Sequence, residues 1–297
     1  MAGMWALDTM ALPSVKDNME DASRSSENLT GVDQHAAESY PTAPKATDPV
    51  DTRQDFTEEA LVKLEAAANS LPFAHFCDKC EKAAQAKSAQ KKRSIFFDKE
   101  LIYRLQRASP GPVSIFPILR FLLPETDPRQ GQFKLRHRTM GDVIVKTLGL
   151  ATKSKAALRI MNFSMPEHNG PRMGPNGRIL NTLGDFGSTI EDVLVSRIRQ
   201  TPSDLSLLEV NEWLDKLVSA PPRSHAKRKE REREEIFTQL STLLNPREMK
   251  WLIRIILGDL KCGFKKDSVL KVFGQDGPGR LQRSYDLRKV CAEYAVK

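Results

Sequence analysis

The chain is predicted to be all-α: a single domain of about ten helices over residues 70–297, behind a disordered acidic tail over residues 1–55. Three observations carry this reading. Apolar residues return at spacings of three and four in almost every patterned segment, and few segments alternate as strands do. Capping-box signatures recur, at Thr139-Met-Gly-Asp142, Ser188-Thr-Ile-Glu191 and Ser206-Leu-Leu-Glu209. Finally, Trp251–Leu257 holds one charge, Arg254, in seven residues, so that helix is apolar nearly all round and belongs in a core.

Residues 1–55 are rich in Ser, Thr, Pro, Asp and Ala and show no sustained apolar period, so they cannot bury enough surface to offset chain entropy. They hold four basic and ten acidic side chains, whereas the remainder of this +8 chain carries +14. A cationic body suits a polyanionic partner, because field and counterion release both favour phosphate. The opening Met-Ala-Gly-Met-Trp-Ala-Leu lacks the basic region and long apolar core of a secretory signal, and no window approaches a membrane span. A soluble, intracellular protein is expected.

Along the body, Leu61, Leu64 and Ala68 suggest a marginal helix between Phe56 and Asn69. Pro72 starts a helix over 72–88 with the stripe Phe73, Phe76, Cys77, Cys80 and Ala84, and residues 94–107 form another. Pro110-Gly-Pro112 breaks the chain before a short apolar helix, Ile115–Leu123, which Pro124 ends. Thr139 opens a helix through Leu148 with Gly149 closing it, and Lys153–Met161 is a helix with a basic face. The Pro- and Gly-rich stretch 164–187 reads as a long surface loop. Helices opening at Ser188 and Ser206 follow, the second striped by Leu207, Val210, Trp213, Leu214, Leu217 and Val218 and ended by Pro221-Pro222.

Lys227 to Glu235 is nine consecutive charged residues. It reads either as a nuclear-import signal or DNA contact through Lys227, Arg228 and Lys229, or as a solvated helical lead-in. The lead-in is preferred, because the acids cancel much of the field. Helices over 235–244, 247–260, 267–273 and 282–295 complete the series. Gly263 stands where a left-handed cap is wanted after the apolar helix, and Asp267 is placed to cap the next one.

Enzymatic motifs are not found: no P-loop, dinucleotide glycine turn, H-E-x-x-H or G-x-S-x-G occurs, and the five histidines are scattered singly. Paired acids such as Asp98/Glu100 and Glu191/Asp192 sit on helical segments and read as caps. Cys77-Asp-Lys-Cys80 has metal-ligand spacing with His75 nearby, but a zinc site wants a second pair, and Cys262 and Cys291 are separate. A buried helical stripe explains Cys77 and Cys80 better.

Five segments together carry a family resemblance. Trp251-Leu-Ile-Arg-Ile-Ile-Leu-Gly-Asp-Leu-Lys-Cys-Gly263 resembles the late helix-turn of the N-terminal DNA-binding domain of eukaryotic ATP-dependent DNA ligases, the DNA ligase IV type in particular. In the same order as in that family, Leu71-Pro-Phe-Ala-His-Phe76 resembles its opening helix, Ser114–Pro124 its F-Y-P-x-x-R-L-I-L-P segment, Gly184-Asp-Phe186 its G-D-F turn, and Glu209–Leu217 its V-N-x-L-L-D-x-L helix. The likeness runs from about Leu71 to Tyr294, and the 164–187 stretch is longer than the family pattern needs.

The resemblance implies a domain that grips duplex DNA from the minor-groove side in double-strand break repair by non-homologous end joining, in the nucleus. Nick sealing would belong to adenylation and OB-fold domains, and ATP and Mg2+ with them. The family's K-x-D-G nucleophile motif does not occur: Lys265-Lys-Asp-Ser268 and Gly274-Gln-Asp-Gly277 each fail at a required position. The chain is therefore expected to be a ligase fragment, a truncated gene product or a stand-alone relative, inactive as a ligase alone. The rival expectation is an interaction module, since the family's domain also receives a nuclease partner, Artemis, on an apolar surface of its first helices.

For DNA contact the leading candidates are Lys261, Lys265 and Lys266, with Gly263 letting the backbone approach closely. Lys153, Ser154 and Lys155 are a second group, because ligase DNA-binding domains place such a helix start against the backbone. A third strip is Arg280, Arg283, Arg288 and Lys289. Aromatic residues are not interleaved with these cations, which favours duplex phosphate contact over single-strand stacking.

Overall fold

A computed structural model describes residues 56–173, 179–219 and 226–295. The expected tail over 1–55, the Pro221-Pro222 stop and the side chains of Lys227 and Lys229 lie outside the described residues. The fold is all-α, with more and shorter helices than the ten expected and one two-stranded antiparallel hairpin, Arg172–Met173 with Ile179–Leu180.

The centre is α13 (Pro246–Leu257). Asn245 and Glu248 cap its start reciprocally, and Met249, Trp251, Leu252, Ile253, Ile255 and Ile256 are all buried. Truncating a buried aromatic such as Trp251 costs roughly 3–5 kcal/mol. Two cations of α13 are also buried, each against acids: Lys250 lies between Glu81 and Glu191, and Arg254 meets Asp185 at 2.7 Å. The helix ends at Gly258, whose φ of +71° makes it the left-handed cap, so Gly263 does not cap this helix. The last apolar residues expected in the helix, up to Leu260, instead begin an extended turn.

Around α13 pack α10 (Phe186–Leu194) and α2 (Phe73–Gln85). In α2, Phe73, Phe76, Cys77 and Cys80 are buried as expected, with Ala83 rather than Ala84 completing the stripe. Phe76 meets Phe96 and Phe121 edge to face, and Phe96 in turn meets Phe264, which joins α2 to two other segments directly and to a third through Phe96. Burial pushes the thiols of Cys77 and Cys80 well up, away from the thiolate a metal would need. Among the described residues no group of three or more His, Cys, Asp or Glu is arranged to hold a metal.

Several boundaries differ from the sequence expectation, at Asp98, Asp185 and Asp286 because a side chain other than the expected one reaches the free helix amides. Residues 94–107 are two helices, α3 (Ala89–Phe96) and α4 (Lys99–Ala108), because Asp98 accepts from Leu101 N and restarts the helix. Asp185, not Ser188, caps α10, accepting from Ser188 N at 3.1 Å. Helix α7 (His137–Thr147) begins before Thr139, which therefore cannot cap it, while α14 (Lys266–Leu270) begins at Lys266, so Asp267 lies inside its first turn. The Ser206 start is as expected: Ser206 and Glu209 exchange hydrogen bonds at the head of α11 (Leu207–Ser219). Residues 282–295 divide into α15 (Gly277–Ser284) and α16 (Leu287–Glu293), where Tyr285 turns left-handed and Asp286 caps the second helix.

The charge run lies in the first half of an 18-residue helix, α12 (Ala226–Leu243). Exposed pairs such as Arg228–Glu232 at 2.9 Å add only about 0.3–0.5 kcal/mol each. Attachment comes from buried Phe237, Leu240 and Leu244, and from Arg233, which donates to Phe133 O at 2.6 Å. The run is thus helical, with Arg228, Glu230 and Arg231 exposed and Arg233 buried.

The segment 56–69 is no marginal addition. As α1 (Glu58–Asn69) it buries Leu61, Glu65, Ala67 and Ala68 against α5 (Phe116–Leu122), α16 and their neighbours. In place of the long loop expected over 164–187, the described residues hold a single-turn α9 (Pro166–Asn169), the hairpin strands and the start of α10.

Candidate nucleic-acid interface

From Gly258 to Lys265 the chain alternates: Leu260 and Cys262 are buried and Phe264 is half-buried, while Asp259, Lys261, Gly263 and Lys265 face outward. This period of two drives the apolar residues into the α13 core and leaves the lysines on the surface. Phe264 anchors the strand edge-on against Phe96 with ring centroids 5.3 Å apart. Both Lys261 (φ +52°) and Gly263 (φ +65°) are left-handed, so the segment is a bent ribbon rather than a strand.

Two hydrogen bonds fix it. Lys261 Nζ donates to Gly184 O at 2.8 Å, tying the turn to the Gly184-Asp185-Phe186 segment, and Lys92 Nζ donates to Cys262 O at 2.7 Å. A Cβ on Gly263 would collide with the Lys92 ammonium, so this glycine makes room for a cation of α3. Lys265 and Lys266 are exposed, and among the described residues neither takes part in an ion pair. Arg93 donates to Ser268 O and Oγ, at 3.2 and 2.9 Å, which draws α3 against α14. Lys91, Lys92 and Arg93 thereby join Lys261, Lys265 and Lys266 around one turn. Sequence reading missed this triplet, about 170 positions away; the Lys91-Lys-Arg93 run was its only local signal. A cleft of about 240 Å³ beside the turn is walled partly by Glu125 and Asp259, which disfavour an anion inside it.

Ser154 caps α8 (Lys155–Met161), its Oγ accepting from Ala157 N at 3.2 Å, with Lys153 and Lys155 exposed beside it. This group is not brought against Lys261. It stands at the far end of α8, roughly 10 Å long at the usual helical rise. Just beyond the near end, Phe163 O accepts from Gly184 N at 3.0 Å. Arg136 and Arg138 flank His137 at the start of α7. His137 stacks on Phe163 at 5.1 Å and meets Phe186 edge-on at 5.4 Å.

The third strip is not a free cationic surface. Arg280 and Arg283 pair with Asp276, and Arg288 is held by Glu58 and Glu65. The paired acids are likewise engaged: Asp98 with Lys79, Glu100 with Arg104, Glu191 with Lys250 and Asp192 with Arg159 and Arg172.

The family-like segments hold one another. Arg120 and Arg129 both bind Asp127, and Arg129 continues to Asn211 Oδ1 at 2.9 Å and Asp215 at 3.0 Å. Leu71 O accepts from Leu207 N, and Phe73 N donates to Leu205 O, joining the opening helix to the head of α11. Asp185 of the G-D-F turn pairs with Arg254 of the late helix. Burial pushes the Asp185 carboxyl up, but Arg254, Ser188 and Lys261 outweigh it and hold the carboxyl below the usual range. Most of the recognisable residues therefore build the scaffold that carries the lysine turn.

Comparison with known proteins agrees with this geometry. The family described as DNA ligase N terminus matches residues 72–274. Similar proteins include DNA ligase 4 of Neurospora crassa, 30% identical over 179 residues, covering 60% of this chain and 16% of that protein. DNA ligase 4 of Arabidopsis thaliana is 28% identical over 180 residues, 61% of this chain and 14% of its own length. DNA ligase 4 of Homo sapiens is 28% identical over 234 residues, 76% of this chain and 24% of the human protein. The chain thus spans less than a quarter of these relatives. With the matched stretch running from the opening helix through the lysine turn, the chain belongs to the DNA ligase N-terminus family.

Proposed function

We propose that this chain binds duplex DNA through its phosphate backbone, as the N-terminal part of a DNA ligase IV-like protein acting in non-homologous end joining in the nucleus. The observation that carries the reading is the turn after α13, where exposed Lys265 and Lys266 join Lys261, Lys92 and Arg93 on a ribbon fixed at both edges. Backbone contact of this kind reads charge and spacing rather than sequence. ATP and Mg2+ chemistry would reside in domains other than this one. Among the described residues no helix is long and apolar enough to cross a membrane.

The test is the triple substitution Lys261→Glu, Lys265→Glu and Lys266→Glu. Each lost phosphate contact should lower the slope of log affinity against log salt by about one unit, and equally for unrelated DNA sequences. The double variant Lys265→Glu, Lys266→Glu keeps the Lys261–Gly184 tie and should retain most of the effect. Unchanged affinity and slope in a folded triple variant would withdraw the assignment.

A protein-docking reading has one observation in its favour. Val62 of α1, Leu208 of α11 and Tyr103 of α4 are exposed at 53%, 46% and 62%, and α1 packs on both of the other helices. An apolar face on the first helices suits a nuclease of the Artemis type. If this is the whole function, duplex affinity will be weak and nearly independent of salt.

A further inference from the structure

Between α8, the 166–173 segment and α10 lies a polar cavity of about 440 Å³. Lys155, Arg159, Arg172 and Arg197 line it, against Glu167 and Asp192. Cations outnumber acids by two. Arg159, on α8, is only 12% exposed at its side chain, and Arg172 arrives from the hairpin. Both guanidinium groups converge on the same oxygen, Asp192 Oδ2, which is 2.6 Å from Arg159.

One oxygen cannot satisfy two guanidinium forks. Arg159 Nε is buried with no partner, and the buried Nη2 atoms of Arg159 and Arg172 reach only that one shared carboxylate oxygen, without hydrogen-bond geometry. Buried cationic donors left in this state are costly. Burial lowers the basicity of both arginines, and the neighbouring charge of Arg159 lowers that of Arg172 further. The fold nevertheless holds them together. Asn169, fully buried, donates to Arg159 O at 2.9 Å and Asn162 O at 3.1 Å, and its Oδ1 accepts from Thr182 Oγ1 at 3.3 Å. That amide pins residues 166–173 onto α8 and ties Thr182 to them, so Arg172 is presented to Arg159 by a built frame.

The missing complement is an anion with several acceptor oxygens arranged in three dimensions. A second carboxylate would bring only a planar pair, whereas a phosphoryl group offers a tetrahedral set that two guanidinium forks and a lysine can share. We propose that this cavity takes one phosphoryl group of a DNA strand, its oxygens accepting from Arg159 and Arg172. Lys155 belongs both to the cavity wall and to the exposed start of α8, so a strand passing over Lys153 and Lys155 reaches it. Arg172 stands in the stretch that is longer than the family pattern needs, which makes this grip an addition to the lysine turn. The proposal deepens, and rests on, the duplex-binding reading.

The test uses the full chain, inorganic phosphate, and two otherwise identical duplexes carrying a 5′-phosphate or a 5′-hydroxyl. Phosphate should shift the Arg159 and Arg172 Nε–H resonances in NMR spectra. Arg172→Gln, at a partly exposed hairpin position, should weaken phosphate binding about tenfold and reduce the duplex salt slope by about one unit. An equal effect on both duplexes assigns a backbone phosphate, and an effect confined to the 5′-phosphorylated duplex assigns a strand end. Asp192→Asn removes the competing carboxylate and should tighten phosphate binding; unchanged or weaker binding there overturns the proposal even if Arg172→Gln fails to fold. A folded Arg172→Gln chain with wild-type phosphate shifts and salt slopes overturns it too. If the wild-type chain shows no salt-dependent duplex binding, the functional reading fails separately, and the phosphate titration still decides the cavity.

Discussion

Asp127 shows at the residue scale how this protein manages buried charge. Its side chain is 6% exposed, and burial pushes its carboxyl up. Hydrogen bonds and charge from Arg129, with Arg120 beyond, outweigh that and hold it below the usual carboxylate range. Asp98 and Asp185 are held low in the same direction, by Lys79 and Arg254 against burial. The unfolded chain, with carboxyls near pH 3.9, then binds protons more tightly than the folded one, so stability falls as pH falls through the folded values. The melting temperature should be flat from about pH 7 to 5 and drop below about pH 4. Arg129→Met leaves buried Asp127 with Arg120 as its remaining cation and should cost about 3 kcal/mol at neutral pH. Urea melts at pH 7 and pH 3.5 check the mechanism: the penalty should shrink at the lower pH, where a protonated Asp127 no longer needs its cation. A penalty that stays constant would mean that Arg129 acts by packing alone.

Among elements, the informative pair is α1 and α16, one outside each end of the stretch 72–274 that matches the family. They pack on each other and on α5, and Arg288 joins them through Glu58 and Glu65 while lying over the Phe116 ring. The two acids are not equivalent. The Glu65 side chain is 7% exposed and that of Glu58 70%, so the Glu65 contact dominates and the Glu58 contact is screened by water. Arg288→Met should therefore cost about 3 kcal/mol by leaving Glu65 buried without its cation, and should speed amide exchange selectively in α1. Glu58→Gln should change stability by less than about 1 kcal/mol. Equal effects of the two substitutions would show that the clamp works at the surface. The arginine that sequence alone offered as a DNA contact is, in the fold, the fastening of α1 to α16.

For the whole molecule, the decisive fact is an absent motif beside a present scaffold. The 297 residues contain no K-x-D-G, so this chain is expected to form no lysyl adenylate. Incubation with labelled ATP should leave the protein unlabelled after acid-free denaturation, and a stable lysyl phosphoramidate would overturn that expectation. What the body offers instead is +14 of charge over residues 56–297, with lysine and arginine clusters at the 258–266 turn, the start of α7 and the 155–172 cavity. A field of that sign steers a polyanion from a distance, and the fixed clusters decide where it settles.

The amino-acid sequence by itself determined the all-α class, the buried α13, the capping box at Ser206 and the family. Those follow from apolar period, local capping chemistry and ordered segments, all carried by residues near one another in the chain. Only the tertiary structure decided which cations remain available. Arg288 finds Glu65 and Glu58 from 223 and 230 positions away, whereas Lys92 and Arg93 come to the lysine turn across some 170 positions. Arg159 and Arg172 come to share Asp192 only because a buried asparagine folds the intervening segment back on α8. Charge pairing depends on three-dimensional distance, which spacing along the chain does not encode. The period of a helix fixes which face is buried, but the partner across that face belongs to the fold.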